Sequence, residues 1–190
     1  LQHSARFWVK NNSESAVTGR IDPIGLIPSK RDLVLRNGEK IALLFEIDGL
    51  DNNTEYTFSL LDANDEVIEA VNFFTLPEKL NEIDELYIAA GSCYWLFSYS
   101  RKLIFQNYPP KGISKPRIRF LMGDQIYNDM FGPSESAVLY TPETYTNYKH
   151  QWDDDNFINF ITQSPNAILA DDHEFWNNYP HYSLQLAAWQ

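Results

Sequence analysis

The hydrophobic period changes once along this chain of 190 residues. As far as Leu76 apolar positions alternate with polar ones, as in Ala5-Arg6-Phe7-Trp8-Val9-Lys10 and Glu55-Tyr56-Thr57-Phe58-Ser59-Leu60. That two-residue repeat belongs to strands with one buried face. After Pro77 and a charged bridge from Glu78 to Glu85, the apolar residues come instead in short runs: Leu86 to Ala90, Ile118 to Met122 and Ala167 to Ala170. Such runs are expected of strands covered on both faces of a parallel sheet. The change of period predicts two domains, 1–80 and 81–190.

Turn formers punctuate the first segment at Asp22-Pro23, Arg36-Asn37-Gly38-Glu39, Asp51-Asn52-Asn53 and Asp62-Ala63-Asn64-Asp65. They separate strands about every ten residues, which predicts an all-β sandwich. Leu50 to Tyr56 also fits a tyrosine corner, whose hydroxyl bonds back to the chain a few residues upstream. Helical patterns separate the runs of the second segment. Phe97 to Tyr108 stops at Pro109-Pro110, Thr141-Pro142-Glu143 reads as a helix start, and Asp155 is the expected cap of a helix carrying Phe157, Ile158, Phe160 and Ile161. Strands alternating with helices predict an α/β layer built on a mainly parallel sheet.

Charge narrows the partners. With 26 acidic and 15 basic side chains the formal charge is -11, so nothing neutralises a phosphate backbone and no nucleic-acid surface is expected. No run approaches the ~20 apolar residues of a spanning helix. The one cysteine, Cys93, excludes an intrachain disulfide and leaves a buried thiol, a nucleophile or a metal ligand.

All three apolar runs end in groups able to bind metal: Gly91-Ser92-Cys93, Gly123-Asp124-Gln125-Ile126-Tyr127 and Asp171-Asp172-His173-Glu174. Ligands of open α/β sheets bind outside the carboxyl ends of the strands, so these tips are expected to share one crevice. Gathered carboxylates, thiolate and phenolate need a counter-charge, because each desolvated anion costs several kcal/mol. No Lys or Arg lies within the motifs; Arg101, Arg117 and Arg119 are the nearest, in positions that suit solvent-facing or packing roles. A metal is the simpler partner: oxygen ligands suit calcium or magnesium, and thiolate with phenolate suits iron.

In order and separation, 31 residues from Cys93 to Asp124 (124 − 93) and 47 from there to Asp171 (171 − 124), these motifs resemble the alkaline phosphatase D family of metallophosphatases. The Trp176-Asn177-Asn178-Tyr179 that follows is similar too. The resemblance runs from about residue 5 to the end. It implies an immunoglobulin- or fibronectin-type sandwich ahead of the α/β metallophosphatase layer, and a phosphoric ester hydrolase with an iron (Fe3+) and calcium centre. By the same resemblance Cys93 and Tyr127 match iron ligands, Asp124 a bridging carboxylate, and Asp171 and Asn178 further oxygen ligands. Asp172 and His173 match a second-metal ligand and a catalytic histidine. The implied partner is a phosphate mono- or diester, and the implied location is extracytoplasmic. The family's catalytic domain continues beyond its Asp-Asp-His-Glu segment, so a fragment with an incomplete site is expected here.

The competing reading is a surface binding module in which the sandwich recognises a partner and the α/β portion is not catalytic. A serine or cysteine hydrolase is weaker, because Gly91-Ser92-Cys93 lacks the flanking glycine of a nucleophile elbow. Hydride transfer is weaker still, since no glycine-rich dinucleotide loop follows a strand. Asp153 to Asp155 read as a solvated loop that caps a helix, and Tyr94, Trp95, Trp176 and Tyr179 as packing aromatics beside the motifs.

Overall fold

A computed structural model describes residues 3–10, 17–34, 38, 40–94, 108, 109, 111–127, 149, 150 and 152–174. The chain divides into two compact units, Leu1–Leu86 and Tyr87–Gln190. Among the described residues β-strands predominate.

The first unit holds strands β1 (Ser4–Val9), β2 (Thr18–Asp22), β3 (Ser29–Val34), β4 (Lys40–Asp48), β5 (Glu55–Leu61) and β6 (Val67–Phe74). They form two antiparallel sheets ordered β1-β4-β3 and β2-β5-β6. Alternation explains the core between them: Leu43, Phe45 and Ile47 of β4 meet Tyr56, Phe58 and Leu60 of β5, with Ile21 and Phe73. Gly19 has no side chain for a steric reason, since a Cβ there would lie 2.8 Å from the Phe58 ring and 3.0 Å from that of Phe45. The expected tyrosine corner is present, with Asp51 N donating to Tyr56 Oη at 2.9 Å. Buried Thr75 closes the same loop: its hydroxyl accepts from Thr54 N at 2.9 Å and donates to Asp51 O at 2.7 Å.

The second unit holds β7 (Ile88–Gly91), β8 (Ile118–Met122) and β9 (Asn166–Leu169), all parallel and ordered β7-β8-β9, with helix α1 (Asp155–Thr162) between β8 and β9. Phe157 and Phe160 of α1 pack on Leu121. Two expectations need correction. The cap of α1 is Asp154, not Asp155: its backbone is extended and its side chain accepts from Phe157 N at 2.9 Å. Among the described residues, the parallel strands are also not buried on both faces. Arg119 and Leu121 are buried, but the opposite face leaves Phe120 37 %, Met122 47 % and Leu169 62 % exposed. The expected helix from Phe97, all but its last residue Tyr108, and the helix expected to start at Thr141 lie outside the described residues.

Arg119 has the packing role that its strand position suggested. Its guanidinium donates to Phe160 O, to Ile161 O at 3.0 Å and to Ser164 O at 3.1 Å, taking up the carbonyls left free where α1 ends. It also lies 4.3 Å from the Phe160 ring centroid.

Candidate functional site

The pairing of β7 with β8 continues past both strands. Cys93 N donates to Gly123 O at 3.3 Å and Tyr94 N to Asp124 O at 2.8 Å. Two turns follow in which non-glycine residues take left-handed backbone, Cys93 at φ 62° and Asp124 at φ 54°. Such conformations cost about 1–3 kcal/mol each and gather at functional sites. They turn the two side chains toward each other, and the Cys93 thiol donates to Asp124 Oδ2 at 3.3 Å. Gly123 has to be glycine: φ is 88°, and a Cβ would collide with Asp171 Cβ and lie 3.1 Å from Asp171 N. The tip of β9 thus closes on the tip of β8.

Glu174 ties that closure together. It lies in the 3-10 turn Asp172–Glu174, is 2 % exposed, and accepts from Asp124 N at 3.0 Å, Asp171 N at 2.7 Å and Gln125 N. Burial pushes its carboxyl pKa up, while the backbone N–H groups of Asp171, Gln125, Asp124 and Ile126 pull it down. Tyr127 bonds to Cys93, and its ring lies 4.3 Å from that of His173. Its phenol is held well above the ordinary range by burial first, then by the Cys93 bond and the nearby Cys93, Asp124 and Glu174 charges.

Of the residues expected from the sequence, the structure brings together Cys93, Asp124, Tyr127 and His173, with the backbone of Asp171 against Gly123. The Asp171 side chain is exposed. Asp172 opens the 3-10 turn, and Asn178 lies outside the described residues. The sequence left Glu174 as an acid of undecided role. Its function as the backbone anchor of two strand tips has no signature beyond its place at the end of the Asp-Asp-His-Glu run.

Asp124 is 7 % exposed, and its Oδ1 is buried without a hydrogen-bond partner. An unpaired buried carboxylate oxygen beside a thiol and a phenol is a donor set that fits a cation. Among the described residues, however, no three His, Cys, Asp or Glu side chains are grouped to hold a metal ion. Nor, among them, is any helix long and apolar enough to cross a membrane.

No family model matches the sequence, and no curated protein matches it. Among solved structures the chain is similar to one described as "Structure of PhoD", with a TM-score of 0.69 and 19 % sequence identity. The match covers 99 % of this chain and 41 % of that one, so the chain spans about two fifths of that structure's length. With the strand tips that carry Cys93, Asp124 and Asp171 brought to one end of a parallel sheet, the chain has a PhoD-like fold.

Proposed function

We propose that this chain is part of a metal-dependent phosphoric ester hydrolase of the alkaline phosphatase D type, acting on phosphate mono- or diesters outside the cytoplasm. The observation that carries the reading is the contact of Cys93 Sγ with Asp124 Oδ2 across two strand tips, beside an Asp124 Oδ1 that lacks a partner. Cys93, Asp124 and Tyr127 would hold iron, and Asp171, Asp172 and Asn178 would supply oxygen ligands to calcium. A bound metal supplies Lewis acidity toward phosphoryl oxygens and lowers the pKa of water. The chain's own residues do the rest. Glu174 fixes the backbone of Asp124 and Gln125, so the ligand carboxylate is held in place before any ester arrives. His173, half-buried against the Tyr127 ring, is placed to give a proton to the departing alkoxide.

Metal analysis of the complete protein and its hydrolysis of p-nitrophenyl phosphate and the bis ester test this reading. Asp124→Ala is expected to lose both bound metal and turnover. Asp154→Ala is expected to keep both while losing about 1 kcal/mol of stability with its helix cap. Undiminished turnover in Asp124→Ala overturns the site. A metal-free, inactive complete protein would leave the binding-module reading.

A further inference from the structure

Four strands of the sandwich lie at the edge of their sheets: β1 and β3 in one, β2 and β6 in the other. An edge strand presents a row of N–H and C=O groups to any other strand, and proteins blunt such edges with charged side chains and proline. Three of the four edges are blunted in this way. β3 carries Lys30, Arg31 and Asp32 behind Pro28, β2 carries Arg20 and Asp22 ahead of Pro23, and β1 carries Arg6 ahead of Lys10. β6 is the longest of them at 8 residues, Val67-Ile68-Glu69-Ala70-Val71-Asn72-Phe73-Phe74, and Glu69 is its one charge. Val67 is 53 % and Ile68 54 % exposed, and Ala70 and Asn72 are exposed as well.

The ladder on the inner side of β6 fixes which backbone groups point away from it. Thr75 N donates to Thr54 O at 3.0 Å, in register with the pairs Tyr56–Phe73 and Phe58–Val71. Bonded and non-bonded pairs alternate along an antiparallel ladder. The backbones of Phe73 and Val71 therefore bond to β5, while Ala70 and Asn72 turn their N–H and C=O groups outward, where among the described residues no strand pairs with them.

We propose that β6 is a self-association edge, which pairs antiparallel with β6 of a second copy of this chain and joins the two β2-β5-β6 sheets into one. A two-fold contact of this kind is self-complementary and is centred on a residue that meets its own copy. Charge and the ladder select the centre. A centre on Glu69 sets two carboxylates face to face, and one on Asn72 brings Glu66 toward Glu78. A centre on Ala70 places Asn72 opposite Ile68, the extra residue of the bulge in the β5–β6 ladder. A centre on Val71 avoids all three. Val71 then meets Val71, Ala70 of each copy exchanges backbone bonds with Asn72 of the other, and Glu69 lies beside Phe73 with no like charge opposed. This edge belongs to the first unit, and the inference is independent of the hydrolase reading.

Sedimentation of the complete protein over a range of concentrations in about 0.15 M salt, with hydrogen exchange resolved to single amides, tests the pairing. A reversible dimer is expected, in which exchange at the Ala70 and Asn72 amides slows by about tenfold or more as the dimer fills. Ala70→Pro removes an N–H that makes no bond within its own copy, so the sandwich is kept. Dimerisation of that variant is expected to weaken by about tenfold or more, since each dimer loses two backbone bonds. If the variant does not fold, exchange at the two amides of the unaltered protein decides. A monomer throughout, a dimer whose Ala70 and Asn72 amides exchange as freely as in the monomer, or undiminished dimerisation of folded Ala70→Pro each overturns the proposal.

Discussion

Glu174 accepts with its carboxylate from the backbone N–H of Asp171 on its own turn and from those of Asp124 and Gln125 fifty and forty-nine residues away. Each buried N–H left without an acceptor costs about 1–3 kcal/mol. Glu174→Ala is therefore expected to lose about 2–5 kcal/mol, with some of the cost recovered by entering water. Chemical denaturation measures the loss, and hydrogen exchange locates it in the amides of Asp124 and Gln125. Full protection of both amides in the variant would refute the anchoring role. Cys93 and Asp124 were legible as candidates because each follows an apolar run and ends in a strand tip. The anchoring by Glu174 was not legible, since it depends on which backbone N–H groups meet it across the fold. The same limit applies to Arg119: the sequence shows a basic residue in a strand, and only the end of α1 against it makes burial tolerable.

Turns and caps were read well where a side chain closes a local ring. In the β5–β6 hairpin, Asp62 Oδ1 accepts from Asn64 N at 2.8 Å and Glu66 N at 2.9 Å, and Asp65 takes φ 62°. Those two backbone bonds hold the Asp62 carboxyl below its ordinary 3.8. A carboxyl depressed in the folded state contributes stability above its unfolded pKa and loses it as pH falls through the folded value. A carboxyl-carbon NMR titration is therefore expected to show a midpoint below 3.8 for Asp62. Asp62→Asn should remove this group's share of the acid-limb stability loss. A midpoint at or above 3.8 would mean that the turn does not hold the ionised form. Where several residues could serve, local reading failed. Three consecutive aspartates, Asp153 to Asp155, lie where α1 begins, and backbone conformation, extended at Asp154, selects the cap. Apolar runs misled in another way: burial on one face and on both faces produce the same short run of Ile, Phe, Leu and Met.

At the scale of the whole chain, every candidate site group falls between Cys93 and Asn178, in the second unit, and each unit has an aromatic cluster of its own. The change of hydrophobic period made the division into two units legible, because alternation and apolar runs need different surroundings. What each unit packs around was less so. Phe58 is 4 % exposed, stacks on Phe7 with centroids 4.1 Å apart, and meets Phe45 at 5.4 Å. Truncating such a ring costs about 3–5 kcal/mol, a large share of the about 4–13 kcal/mol that a unit of this size has in all. The second unit has its own core of Leu121, Phe157 and Phe160. Phe58→Ala is therefore expected to strip exchange protection from β2, β5 and β6 at low denaturant while β8 and β9 keep theirs. Loss of both sets in one transition would show that the two cores unfold as one cooperative system.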